Sequence, residues 1–264
     1  MKKINRIITC ILGFVLVFAL TSCSKGESDI KGGGVPKSDK SLMVYSGAGL
    51  KKPMEEIGKE FEKENGIAIN YIFAGSTQLL SQLELSGKGD AFIVGSINAY
   101  EAAKKKSLVG ECKNVAYHTP VIVVKKGNPK NIKGLKDLEK QGIKVVLGDE
   151  KANAIGKTTV KIIEKNSLKN ISKNVVGRMA TVNEVTMHVI DGTADAAIVT
   201  RDSAFGNDKV EIVGIPAKEN IDQILPVGSV LSSKEMELSK KFVDYVSSNK
   251  GKSIFEKYGF KPVK

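Results

Sequence analysis

The sequence predicts an α/β protein made of two helix-flanked lobes with a cleft between them. Three features carry this. Strand-like apolar runs alternate with helix-period runs from Ser41 onward. A second alternating series begins near residue 143, and two extended runs, "TPVIVVKK" and "QILPVGSVLS", read as crossings between the series. A β/α alternation of this kind builds parallel strands covered by helices.

In order, "LMVYS" is a short apolar strand, and "LKKPMEEIGKEFEKENG" follows with Met54, Ile57 and Phe61 on one helical face and a closing glycine. "IAINYIFA" is a second strand, "STQLLSQLELSG" a second helix and "DAFIVGS" a third strand, before the helical "NAYEAAKKK". The second series runs "IKVVLGD", helix "AIGKTTVKIIEK", "NVVGRMA", helix "VNEVTMHVIDG", and the strands "DAAIVT" and "VEIVGIP". After the returning strand, "KEMELSKKFVDYVSSNKGKSIFEKYG" reads as helical to the end.

The N-terminus addresses location. "MKKINR" is a basic leader, "IITCILGFVLVFAL" an apolar core, and Leu20-Thr21-Ser22-Cys23 resembles the bacterial lipoprotein processing box. The apolar run is short for a bilayer span. Residues 1–22 are therefore expected to be a signal peptide, and Cys23 an acylated thiol holding the protein to the membrane. The polar, glycine-rich residues 23–40 are expected to be a flexible tether. The expected lobes are 41–121 with 225–264, and 122–224.

Of three cysteines, Cys10 leaves with the leader and Cys23 carries lipid, so Cys112 has no partner for a disulfide. The formal charge of +12 includes the leader cations Lys2, Lys3 and Arg6, leaving about +9. The lysines are spread along helices rather than gathered with aromatics, which argues against nucleic acid and for an anionic envelope or a small anionic ligand. Catalysis finds little support. His118 and His188, the two histidines, lack ligand-spaced partners, and no Cys pair, His-x-x-x-His or Gly-x-Ser-x-Gly occurs.

What recurs is a small, neutral, polar turn between strand and helix: "YSGAGL", "FAGSTQLL" and "LGDEKANAIGKTT". The third nearly matches a nucleotide phosphate loop, but Lys151 stands where its first glycine belongs. The first amides of a helix have no acceptor within it and carry partial positive charge, so such turns suit an anion. Any one turn is explained as well by ordinary capping. Three of them at strand ends of facing lobes point to the cleft.

In order and spacing, "VYSGAGLKKPMEEIGKEFEKENGI", "FAGSTQLLSQLELSGKGDAFI", "VVLGDEKANAIG", "GTADAAIVT" and "IFEKYGF" resemble the molybdate-binding component of ABC importers. The resemblance implies a periplasmic-binding-protein type II fold, with a mixed sheet in each lobe. It implies a tetrahedral oxyanion, molybdate or tungstate, held by amides and hydroxyls without a contacting counter-charge. No cofactor is implied. Ser46, Gly49, Ser76 and Thr77 are expected to hold the ion from the first lobe. Ile155 and Val185, through their amides, and Thr200 are expected from the second. Gly49 stands where many members have serine, and Thr200 where many have tyrosine. Glu184 is a candidate for direct coordination of a metal centre, since archaeal relatives use carboxylates to complete six-coordination. Lys51, Lys157 and Arg201 are candidates for steering the anion.

The implied protein is a monomeric receptor, not an enzyme, that hands its ion to a membrane permease. Competing readings are a receptor for sulfate or phosphate, a secreted phosphate-ester enzyme using Glu184 or His188 as base, and a cationic lipoprotein binding envelope polymer.

Overall fold

The computed structural model describes residues 40–152 and 154–264. The expected leader, Cys23 and the tether up to residue 39 lie outside the described residues. In chain order the elements are β1 (Ser41–Gly47), α1 (Lys51–Asn65), β2 (Ala68–Ala74), α2 (Ser76–Ser86), β3 (Ala91–Ile93) and α3 (Ile97–Lys105). Next come β4 (Lys113–His118), β5 (Pro120–Lys125), β6 (Val145–Gly148), α4 (Ala154–Lys165), β7 (Val175–Met179), α5 (Val182–Ile190) and β8 (Ala196–Thr200). The chain ends with α6 (Arg201–Ala204), β9 (Val210–Gly214), β10 (Gln223–Ser229), α7 (Met236–Ser247), α8 (Asn249–Lys257) and β11 (Lys261–Pro262).

The strands form two sheets, ordered β11-β4-β10-β3-β1-β2 and β7-β6-β8-β5-β9. In the first, β2, β1 and β3 are parallel and β10 is antiparallel to both β3 and β4. In the second, β7, β6 and β8 are parallel and β5 is antiparallel to both β8 and β9. The two lobes share one plan: three parallel strands, then the strand on which the chain arrives from the other lobe. An arriving strand enters from the cleft side, so it must run against its neighbours.

The crossings fall earlier than expected. Pro120 and Val121 already pair with Thr200 and Val199 of the second sheet, and Gln223 already pairs with His118 of the first. The expected boundaries after 121 and 224 therefore cut into β5 and β10. The crossings are tied together, Asn220 donating from Nδ2 to the Pro120 carbonyl at 2.8 Å, and the first is also tied to α6, the Arg201 amide donating to the Thr119 carbonyl at 2.8 Å.

Strand alternation sorts the core of the first lobe. Leu42 and Val44 face a cluster with Met54, Ile57 and Phe61 of α1 and Phe242 and Phe255 of α7 and α8. Tyr45 and Phe92 face the other side, against Leu79, Leu83 and Tyr100. α1 ends at Gly66, whose φ of +69° supplies the left-handed C-cap, its amide donating to the Glu62 carbonyl at 2.7 Å.

The closing helical run is broken. Ser248 ends α7 with an extended backbone and accepts the Gly251 amide on its Oγ at 3.2 Å, capping α8. A Cβ at Gly251 would lie 2.2 Å from the Val246 carbonyl oxygen, so glycine permits the tight return. The chain then forms β11, and it and β4 were both missed by the sequence pattern.

Candidate functional site

Each parallel strand delivers a helix start to the same edge of its sheet, and those edges face one another. Between them lies a cavity of about 510 Å³ lined by both lobes. The first lobe contributes Ala48 and Gly49 from the turn after β1, and Ser76 from the start of α2. The second contributes Ala154 and Ile155 from α4, and Val182 and Asn183 from α5. Amides in these first turns have no acceptor within their helices. Four helix-entry turns thus converge on one space.

Local chemistry sets each turn. The Gly75 amide donates to Gln78 Oε1 at 3.3 Å, turning the chain so that Ser76 opens α2 at the cavity. Before α4, Asp149 Oδ1 accepts from the amides of Lys151 at 2.7 Å and Ala152 at 3.1 Å. A Cβ on Gly156 would fall 2.3 Å from the Asp149 carbonyl oxygen, so α4 can pack on the end of β6 only with glycine there. The "GKT" of the near-miss phosphate loop is in part a packing device. α5 starts in a capping box: Thr181 Oγ1 accepts the Glu184 amide at 3.2 Å, and Glu184 Oε2 accepts the Thr181 amide at 3.0 Å.

Of the residues expected to hold the ion, Gly49, Ser76, Ile155 and Thr200 line the cavity, whereas Ser46, Thr77, Val185 and Glu184 do not. Ser46 is fully buried in β1, continuing the Leu42–Val44 row, and its Oγ has no hydrogen-bond partner among the described residues. Thr77 is exposed one position beyond Ser76. The Val185 amide donates to the Thr181 carbonyl at 3.2 Å, so the unspent amides of that turn belong to Val182 and Asn183. Glu184 is exposed and holds its own helix cap. Among the described residues no cluster of His, Cys, Asp or Glu could hold a metal ion.

Thr200 reaches the cavity, but its hydroxyl hydrogen goes to Asp202 Oδ2 at 3.2 Å. The other oxygen of Asp202 lies 2.9 Å from His118 Nδ1. This bond joins the end of β4 in one lobe to α6 in the other, with side chains only 12% and 8% exposed. His118 and Asp202 both line the cavity, as do Gly95 and Gln223. None of these was singled out as binding from the sequence. His118 and Asp202 stand 84 residues apart, beyond any motif spacing.

Among the steering candidates, Lys51 lines the cavity, together with Lys52. Lys157 borders a separate space of about 450 Å³ beside Ser96 and Gln223, and Arg201 borders one of about 480 Å³ beside Phe205 and Gly259. His188 is tied to its own helix end through Thr193 Oγ1 at 2.7 Å. Cys112 is a half-buried free thiol whose ionisation burial pushes upward, away from nucleophilic use.

Two sheets of one plan, joined by paired crossings and enclosing a lined cleft, define a two-lobed solute receptor of the periplasmic-binding-protein type II class. Residues 42–261 match the bacterial extracellular solute-binding protein family, and the chain belongs to it. A Haemophilus influenzae protein provisionally named a binding protein is 31% identical over 84% of this chain and 91% of its own length. The molybdate-binding protein ModA of Mycobacterium tuberculosis is 28% identical over 96% of each chain. Among solved structures, the substrate-binding domain provisionally assigned to a molybdenum ABC transporter of Clostridium difficile superposes with a TM-score of 0.77. It is 25% identical and covers 86% of this chain and 100% of its own.

Proposed function

We propose that this protein captures molybdate or tungstate outside the cytoplasmic membrane and passes it to the permease of an ABC importer. The observation that carries this reading is the convergence of four helix-entry turns, two from each lobe, on one cavity. Amides and the Ser76 hydroxyl donate to a dianion there, and each charge-assisted bond is stronger than a neutral one. The one carboxylate on the lining, Asp202, already accepts on both oxygens, which softens its repulsion of an anion. The molybdate-binding names of relatives support the same ligand class.

A five-atom oxyanion fills on the order of three water volumes, about 90 Å³, far less than the cleft. Capture therefore includes approach of the lobes about the crossings at Thr119 and residues 215–222. The protein acts as a monomer and catalyses nothing. Lys51 and Lys52 draw the anion inward. Cys23 carries the lipid that keeps the receptor at the membrane.

Isothermal titration with molybdate, tungstate, sulfate and phosphate tests the ligand. Heat with either metal oxyanion, and about 10-fold or greater weakening in Ser76→Ala, is expected from loss of one hydrogen bond to a charged group. Absence of heat with both metal oxyanions rejects this ligand, and heat with sulfate or phosphate alone moves the reading to those ions. Palmitate labelling lost in Cys23→Ser tests the anchor; retained label rejects it.

A further inference from the structure

The bond between His118 and Asp202 has a chemical consequence at the ring nitrogen it leaves over. A carboxylate has only acceptor atoms, so the hydrogen in the 2.9 Å contact sits on His118 Nδ1. Thr200 gives its hydrogen to the other carboxylate oxygen. The ring is further held by Phe260, with ring centroids 5.2 Å apart. Nε2 lies beside Gly95, only 3.1 Å from where a Cβ would stand, and the ring carbon Cε1 is 3.8 Å from the same point on Gly49. Both glycines line the cavity, and no hydrogen-bond partner of Nε2 is found among the described residues. On this part of the lining the Thr200 hydrogen is spent on Asp202, and His118 Nε2 is left as a ring nitrogen unpaired among the described residues.

That nitrogen changes role with one proton. Bare, it accepts; protonated, it donates and carries charge. A fully ionised oxyanion such as molybdate or sulfate offers only acceptor oxygens. It opposes the bare nitrogen and pairs with the protonated one. Hydrogen phosphate carries a hydroxyl that the bare nitrogen can accept.

We infer that His118 is the proton-linked, specificity-determining contact of the cleft, oriented by Asp202. A fully ionised oxyanion binds with uptake of one proton from solvent at Nε2, forming an imidazolium between Asp202 and the anion. Hydrogen phosphate binds through its own hydroxyl and takes up none. The inference rests on the oxyanion reading of this site. The other titratable groups on the lining are Lys51 and Lys52 of α1, Asp202 of α6 and Tyr258 after α8; the lining residues of α4 and α5 are uncharged. Any pH dependence that persists without the imidazole belongs to those groups.

The test is titration of the intact protein with molybdate, tungstate and sulfate in buffers of different ionisation enthalpy, between about pH 5.5 and 8.5, spanning the range where imidazoles change charge. The expected result is uptake approaching one proton per ion on the alkaline side, with affinity there falling up to about tenfold per pH unit. His118→Gln, checked for folding by its thermal melt, is expected to lose both uptake and slope. Asp202→Asn keeps the imidazole but removes the carboxylate that fixes its Nδ1 hydrogen, so proton uptake per ion is expected to fall while the fold, read by the same melt, is kept. A merely structural dyad would change the melt and leave proton uptake as in wild type. Molybdate binding without proton exchange, or a wild-type profile in His118→Gln, overturns the inference and leaves the oxyanion reading standing. No heat with any oxyanion ends both.

Discussion

Gly156→Ala sets two effects of opposite sign against each other at the start of α4. Inside a helix, alanine is ordinarily more stable than glycine by about 1 kcal/mol. At this glycine the new Cβ would stand 2.3 Å from the Asp149 carbonyl oxygen, 2.5 Å from its carbonyl carbon and 2.8 Å from the Glu150 nitrogen. Ordinary contact begins at 3.4 Å, so α4 or the end of β6 must give way by about 1 Å. All three atoms are backbone, and no side chain can rotate aside to make room. Overpacking of this kind costs about 1–3 kcal/mol, and because the colliding atoms are rigid we take the upper end. Net of the helix gain, about 2 kcal/mol of stability is lost, or roughly 4–8 °C in the melting midpoint of a domain this size. The same displacement moves the Ile155 amide away from the cavity, so oxyanion affinity falls at least several-fold. Differential scanning calorimetry and titration read the two effects separately. A variant as stable as or more stable than wild type would refute the packing argument, because it would mean α4 does not start against the β6 end.

Three further outcomes are expected. Gly49→Ser adds a Cβ whose only near neighbour among the described residues is His118 Cε1 at an ordinary contact distance of 3.8 Å, so the side chain fits without strain at that atom and adds a donor to the first lobe. Affinity should rise by several-fold, about 1 kcal/mol, in a titration; no gain would mean the ion does not sit by this turn. Glu184→Gln keeps the capping box, since glutamine serves at that position equally, and should leave oxyanion affinity within about twofold, an amount only direct coordination would exceed. The Lys257 ammonium, with the Tyr258 hydroxyl, holds the Glu56 carboxyl below its usual range. Its contribution is therefore present above the ordinary glutamate pKa of about 4.3 and is lost as pH falls through the lower folded value. Melts of wild type and Glu56→Gln should differ slightly near neutrality, as suits an exposed pair, and converge in acid; a constant difference down to acid pH would exclude the ionic contribution.

Much of the architecture was legible because it is written in local periodicity. Met54, Ile57 and Phe61 recur at the helical interval, and "LMVYS" and "DAAIVT" are apolar runs of strand length, so they mark their elements before any partner is known. The turns at Gly49, Ser76 and Ile155 were legible for a related reason: helix-entry chemistry lies within a few consecutive residues. β4, β11 and the break at Ser248 were not legible. β11 is a two-residue edge strand, β4 beside it has a polar sequence with little alternation of its own, and the break depends on a cap within an otherwise helical run.

The spending of donors could not be read in this way. The Thr181 hydroxyl and the Glu184 carboxylate each accept the other residue's backbone amide, and the Thr200 hydroxyl donates to Asp202. Those bonds leave the amides of Val182 and Asn183 and, from the facing lobe, the His118 ring on the cavity lining. Periodicity and turn chemistry act over a few residues, and they were sufficient for the lobes and for the turns at Gly49, Ser76 and Ile155 that line the cleft. A histidine gains its meaning from a carboxylate 84 residues away only when two crossings bring their lobes together.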